Sequence, residues 1–174
     1  MTRVARFMHV SEARFAGDWA EAFPGEAVPA LPPLPRRATA GSAGYDFFAP
    51  RAFSLAPGET LKIPTGVRAR ISEGWVLMLF PRSGLGFKYR LQLNNTVGIV
   101  DADYFGAKNE GHIFIKLTNA GDRLLSVRPG EAFAQGVFLP FGLTEDDDAS
   151  GARVGGFGST GIDPGQACAQ TIHT

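Results

Sequence analysis

The chain is short of cysteine: among its 174 residues only Cys168 occurs. One thiol closes no internal disulfide and builds no zinc cluster, which is the cysteine usage of a reducing compartment. Net charge is missing too, since 17 Lys and Arg face 17 Asp and Glu. A neutral chain excludes wholesale attraction to nucleic acid or to an anionic membrane and leaves room only for local basic sites. No apolar run reaches the length of about 18 residues that a membrane span needs, and Met1–Val10 lacks the apolar stretch of a signal peptide. These absences set the expectation of a soluble, cytoplasmic protein with neither nucleic acid nor membrane as partner. His9, His112 and His173 are scattered, so neither a metal cluster nor a catalytic triad is expected from them. Internal repeats and a βαβ alternation are also missing, and the length predicts one domain.

What the chain has in abundance is punctuation. Its 22 Gly and 12 Pro break it into short elements, while 14 Phe and 44% apolar residues supply a core. Arg3–Val10 alternates loosely, as an edge strand does. Ser11 reads as an N-cap, and Phe15, Trp19 and Phe23 recur four apart beside Ala16 and Ala20. That spacing predicts one amphipathic helix, weakened by Gly17 and ended by Pro24-Gly25, with a packing role and no chemistry. Pro29 to Pro35 reads as an extended spacer. From Ala43 onward strands and turns alternate. Leu61, Ile63, Val67, Ala69 and Ile71, with Lys62, Arg68 and Arg70 between them, predict a strand with one buried face. Pro64 and Gly66 mark an edge or a bulge in it. Trp75–Phe80 is continuously apolar, as in a strand buried on both faces, and Ile113–Leu117 and Ala132–Leu139 add two more.

The expected fold is therefore all-β, a jelly-roll-like sandwich or barrel with one short N-terminal helix. A single domain over 1–174 divides into an N-terminal strand, helix and Pro-rich linker at 1–34, a β core at 35–144 and a C-terminal arm at 145–174. The arm carries an acidic run, Glu145 to Asp148, and the glycine-rich stretch Gly155 to Gly161. Such a composition packs no core and is expected to be a flexible lid.

Four short stretches have residues suited to chemistry. Pro81-Arg82-Ser83-Gly84-Leu85-Gly86 follows the apolar strand directly, placing a cation, a hydroxyl and open amides at one rim, a set that suits a phosphate chain. Asp101 and Asp103 follow Gly98-Ile99-Val100, and on a continued strand residues i and i+2 share a face, so both carboxylates would look into one site. A carboxylate beside a phosphate can orient or deprotonate water, and the spacing leaves open which of the two does so. In Ala43-Gly44-Tyr45-Asp46 an acid opens a strand, where it suits a hydrated Mg²⁺. Phe157, Ser159 and Thr160 in the glycine-rich tail suit a nucleotide's base and phosphates.

In order and spacing these stretches, together with Gly130-Glu131-Ala132-Phe133-Ala134-Gln135, resemble the five motifs of the trimeric dUTP diphosphatases (dUTPases). The resemblance runs from about Pro35 to Gly161. It implies a jelly-roll homotrimer with shared active sites that hydrolyses dUTP to dUMP and pyrophosphate with Mg²⁺. It further implies that Asp101 activates the water attacking the α-phosphorus, with Gln135 also facing that water, and that Asp46 touches Mg²⁺ through water. Asn95 and the backbone of Gly98, Ile99, Val100 and Asp101 would read the uracil edge, and Tyr104 would pack against the deoxyribose. Arg82, Ser83 and Gly84 would face the phosphates; Phe157 would cover the base, with Gly158, Ser159, Thr160 and Arg153 near the phosphates as the lid closes. Three features depart from the family pattern: Ala107-Lys108-Asn109-Glu110-Gly111 lengthens the chain after Gly106; the lid arginine that commonly sits five residues before the Phe is Ala152 here, with Arg153 four before Phe157; and the Ser11–Phe23 helix lies outside the common core. The same fold serves dCTP deaminases, but their chemistry needs a glutamate on the strand after the hairpin, and His112–Leu117 has none. A regulatory binding protein gated by dUTP is the remaining alternative, motivated by the helix and the 107–111 stretch.

Overall fold

The computed structural model describes residues 2–151, and within them every strand pair is antiparallel. The first strand, β1 (Ala5–His9), leads into helix α1 (Glu12–Ala22). Ser11 caps that helix, its hydroxyl accepting the Arg14 N–H at 3.1 Å. Beyond the prolines come β2 (Tyr45–Phe48), β3 (Phe53–Leu55), β4 (Thr60–Pro64), β5 (Val67–Ile71) and β6 (Trp75–Pro81). Helix α2 (Ser83–Tyr89), β7 (Leu91–Leu93) and β8 (Gly98–Val100) follow. A 3₁₀ helix at Ala102–Gly106 then precedes β9 (Phe114–Asn119), β10 (Leu125–Val127) and β11 (Ala132–Pro140).

The strands build a four-stranded sheet in the order β2-β11-β6-β8 and a three-stranded sheet β4-β9-β7, flanked by the ribbons β1-β5 and β10-β3. Apolar side chains two apart point inward from all four sheets into one core, where Leu77, Leu117, Leu125 and Phe133 are fully buried. Each such side chain contributes about 1.5–3 kcal/mol of burial. This is the all-β jelly-roll arrangement. Phe15, Trp19 and Phe23 of α1 and its C-cap join Val10 in a smaller cluster that Leu31 and Leu61 close, so the helix lies over β4.

Three local expectations change. The run Leu61–Ile71 is two strands: Pro64 offers no N–H and Gly66 sits at φ 71°, so the chain leaves β9, the partner of β4, and joins β1. The β6 run is not buried on both faces, because Leu77 and Leu79 enter the core while Val76, Met78 and Phe80 stay half-buried. Helical structure is also not confined to α1. The stretch after Pro81 coils at once into α2, and the chain after Asp101 into the 3₁₀ helix.

Candidate functional site

One rim of the four-stranded sheet gathers three of the expected residues. Gln135 of β11 lies opposite both Phe80 of β6 and Asp46 of β2, so the exit of β6 at Pro81-Arg82 sits beside both side chains. Arg82 Nε approaches Asp46 Oδ1 at 3.2 Å, and Gln135 Nε2 donates to the Pro81 carbonyl at 3.1 Å. A Cβ on Gly44 would stand 2.6 Å from Gln135 Oε1, so a side chain there would displace the glutamine. Arg82 is the N-cap residue of α2 and no side chain caps that helix. Its start leaves the first N–H groups without intrahelical partners, at Ser83 and Gly84, both exposed. A cation, a hydroxyl and amide donors therefore meet at one rim, as the sequence suggested, on a helix start in place of a loop.

A second cluster forms along β8. This strand is the edge of its sheet, so among the described residues its outer row of N–H and C=O groups is not used by a neighbouring strand. Gly98 is pressed onto β6, with Leu79 Cβ 3.0 Å from where its own Cβ would stand. Thr96 at φ 64° turns the chain into the strand and leaves Asn95 exposed. Ile99 is also exposed.

At the far end of β8 the structure departs from the sequence reading. Asp101 and Asp103 do not share a strand face, because β8 stops at Val100 and Asp101 becomes the N-cap of the 3₁₀ helix. With three residues per turn, positions two apart point about 120° away from each other. Asp101 is half-buried and Asp103 exposed. Tyr104 is only 1% exposed. Its hydroxyl donates to the His112 carbonyl at 2.7 Å and accepts from Asn109 Nδ2 at 2.7 Å. In the single chain the ring is therefore packed into the core beside the Asp101 turn.

The register separates the two clusters. Val100 pairs with Leu77, so Asp101 emerges beside the start of β6, whereas Arg82 follows its end. The intervening five or six residues span about 17–20 Å at strand spacing. One chain therefore holds two half-sites at opposite ends of one strand. A groove of about 750 Å³ lined by Arg3, Arg37, Tyr45, Trp75 and Phe138 contains none of the expected site residues. Arg153, Phe157, Gly158, Ser159 and Thr160 lie outside the described residues.

Among the described residues no three His, Cys, Asp or Glu side chains come together as a metal site. Sequence reasoning misses the groups that hold the turn after Asp101. Arg68 donates to the Phe105 carbonyl at 2.7 Å, with its guanidinium 3.7 Å from the centre of the Phe105 ring. Alternation on β5 marks Arg68 only as an outward residue, and nothing local signals its partner.

Comparison with known proteins adds independent findings. The dUTPase family model matches residues 32–161. The chain is 44% identical over 131 residues to the deoxyuridine 5'-triphosphate nucleotidohydrolase of Lactococcus lactis, covering 74% of this chain and 87% of that one. Against the enzyme of the same name from Escherichia coli O9:H4, identity is 42% over 137 residues, with the same shares covered. The crystal structure of the dUTPase from Streptococcus mutans matches with a TM-score of 0.60 at 34% identity, over 80% of this chain and 98% of that one. A dUTPase from phage phi11 of S. aureus, whose structure describes the coordination of a structural Mg(II) ion, shares the fold. Its TM-score is 0.61 at 22% identity, covering 86% of this chain and 98% of that one.

Proposed function

The chain belongs to the dUTPase family, and on that premise we propose how its residues divide the work. It is a dUTP diphosphatase, hydrolysing dUTP to dUMP and pyrophosphate. The observation that carries the division is the pair of half-sites, one cationic and rich in donors, the other a bare strand edge ending in a carboxylate.

Arg82, with the hydroxyl of Ser83 and the amides of Ser83 and Gly84, receives the phosphates through charge-assisted hydrogen bonds. Gln135, fixed through its Nε2 to the Pro81 carbonyl, keeps Oε1 available as an acceptor for the attacking water. Asn95 and the open edge of Gly98, Ile99 and Val100 read the uracil, since a strand edge presents donors and acceptors at fixed spacing. Asp101 accepts a proton from the water as its oxygen bonds to the α-phosphorus; the bond from that phosphorus to the bridging oxygen breaks, and pyrophosphate leaves. Asp46 is a half-buried carboxylate with one oxygen engaged by Arg82, which fits a hydrated Mg²⁺ held mainly by the triphosphate itself. Bound there, Mg²⁺ would neutralise charge developing on the leaving phosphates. Arg153, Phe157, Gly158, Ser159 and Thr160 close over the bound nucleotide and exclude water.

The separation of Asp101 from Arg82 supports a homotrimer with shared sites, in which the phosphate half-site of one subunit meets the strand edge of another. Deamination is not favoured, because β9 carries no glutamate to act as its acid and base. The test has two parts. Purified protein with Mg²⁺ should release pyrophosphate and dUMP from dUTP, and ammonia from dCTP would refute the assignment. Mixing inactive Asp101→Asn with inactive Arg82→Ala subunits, after unfolding and refolding together, should restore a fraction of the turnover. No restoration in well-formed mixed oligomers would sink the shared site.

A further inference from the structure

Two of the features that depart from the family pattern, the N-terminal helix and the 107–111 stretch, meet each other. Ser11, Arg14 and Asp18 stand at i, i+3 and i+7, along one stripe of α1 and its cap. All three engage the segment from 108 to 112. The Glu110 carboxylate accepts the Ser11 N–H at 2.9 Å and the Ser11 hydroxyl at 2.7 Å. Those donors hold its carboxyl below the ordinary glutamate range. Arg14 reaches the Lys108 carbonyl at 3.4 Å and Asp18 Oδ1 at 3.4 Å. Asp18 Oδ2 lies 2.6 Å from His112 Nδ1, and the imidazole is fully buried.

The state of that histidine follows from its partners. The Gly66 N–H donates to His112 Nε2 at 2.8 Å, so Nε2 is the acceptor. The proton then sits on Nδ1 and is donated to Asp18, which fixes both the tautomer and the ring plane. The backbone of the same histidine, in turn, holds the Asp101 turn. Its carbonyl accepts the Tyr104 hydroxyl at 2.7 Å. Gly111, at φ 69°, packs so closely on the 3₁₀ helix that an added Cβ would stand 2.7 Å from the Tyr104 oxygen and 2.9 Å from Phe105 Cα. Within the turn, the Tyr104 N–H bonds the Asp101 carbonyl at 3.2 Å. The path from α1 to Asp101 is thus continuous: Asp18, His112, Tyr104, Asp101.

We propose that α1 and the 107–112 segment form one positioning device for the catalytic turn, with Asp18 and Glu110 as positioning residues that set turnover without touching substrate. The proposal rests on Asp101 being the water-activating group. A carboxylate that must aim a water at a phosphorus atom is sensitive to shifts of an ångström or less. A 3₁₀ turn has poor hydrogen-bond geometry of its own and needs outside support to stay in place. The helix supplies that support through charge-assisted contacts at three points.

The test compares Asp18→Ala with Asp18→Asn, whose amide oxygen still accepts the His112 Nδ1 proton. Steady-state kinetics with dUTP are read beside hydrogen exchange at the Tyr104 amide. Asp18→Ala should lower kcat about tenfold with KM within twofold, and should speed exchange at Tyr104. Asp18→Asn should recover most of both. Glu110→Ala, which leaves the buried pair intact, should show the same split more weakly and serves if Asp18→Ala does not fold. Unchanged kcat and unchanged exchange in folded variants would overturn the proposal. Parallel assays of the unaltered enzyme and of Asp101→Asn separate this from failure of the underlying reading, since only the latter would leave Asp101→Asn active.

Discussion

Adding one methyl group at Gly111 probes how rigidly the 107–112 segment bears on the Asp101 turn. Gly111 sits at φ 69°, where a side chain costs about 1–2 kcal/mol of backbone strain. Its added Cβ would meet backbone, the Tyr104 oxygen at 2.7 Å and Phe105 Cα at 2.9 Å, and backbone cannot rotate aside as a side-chain tip can. Overpacking of this kind costs about a further 1–3 kcal/mol. Gly25 provides the internal control, at φ 82° with nothing within 4 Å of its virtual Cβ. Gly25→Ala should therefore lose about 1–2 kcal/mol and Gly111→Ala about 2–5. For a chain of this length each kcal/mol is worth about 2–4 °C in melting temperature. Thermal melts at one fixed subunit concentration should place Gly111→Ala lowest, and dUTP turnover of its folded fraction should fall as well. Equal losses for the two variants would refute the close packing of insertion on turn, and with it the mechanical argument for the helix.

Three further outcomes can be measured directly. Asp101→Asn should retain dUTP binding by calorimetry while losing turnover at least about 100-fold, the lower end of general-base contributions, and a smaller loss would move the role elsewhere. Burial holds His112 below its ordinary pKa of 6.5, against the opposing pull of Asp18. Above about pH 6.5 both states are neutral and the full stability is present; below it the unfolded chain takes up a proton that the folded chain refuses. Stability should then fall by up to about 1.4 kcal/mol per pH unit as the pH drops towards the folded-state value. Hydrogen bonds lower the carboxyls of Glu110 and Glu131 from an ordinary 4.5, so their loss of stability sets in as the pH nears that value, and urea titrations between about pH 5.5 and 6.5 report mainly the histidine. A flat stability profile there would disprove its buried neutral state. Removal of residues 152–174 should abolish most turnover while leaving the oligomer intact by sedimentation, and a fully active truncation would disprove a lid.

The parts of the site that were legible in the sequence are those fixed within a few residues. Arg82, Ser83 and Gly84 are contiguous, and whether the backbone forms a loop or opens α2, they leave the same rim. Gly98-Ile99-Val100 is a strand by composition and Gly44-Tyr45-Asp46 a strand start, and both stand where the spacing put them. The expectation that Asp101 and Asp103 share a face failed for a local reason as well. It assumed that the period of two continues past Val100, yet aspartate favours caps over strand interiors, and Asp101 takes the cap.

What the sequence hid is partnership over distance. Asp18 and His112 are 94 residues apart, as are Arg14 and Lys108, and Ser11 and Glu110 are separated by 99. Read alone, Asp18 is one of several charged residues on an amphipathic helix and His112 is one of three scattered histidines. Each looks unremarkable because the property that matters, burial against the other, belongs to neither position. The stripe Ser11, Arg14, Asp18 was nonetheless visible as a polar line beside the apolar one of Phe15, Trp19 and Phe23. Two adjacent stripes on one helix mean two surfaces to satisfy: the apolar stripe closes over β4, and the polar stripe needs groups of matching charge and donor pattern. The insertion after Gly106 supplies a carboxylate, a carbonyl and an imidazole within five residues, which is the complement that stripe requires. The helix and the 107–112 segment therefore form one unit, made in two places in the chain and joined at the Asp101 turn.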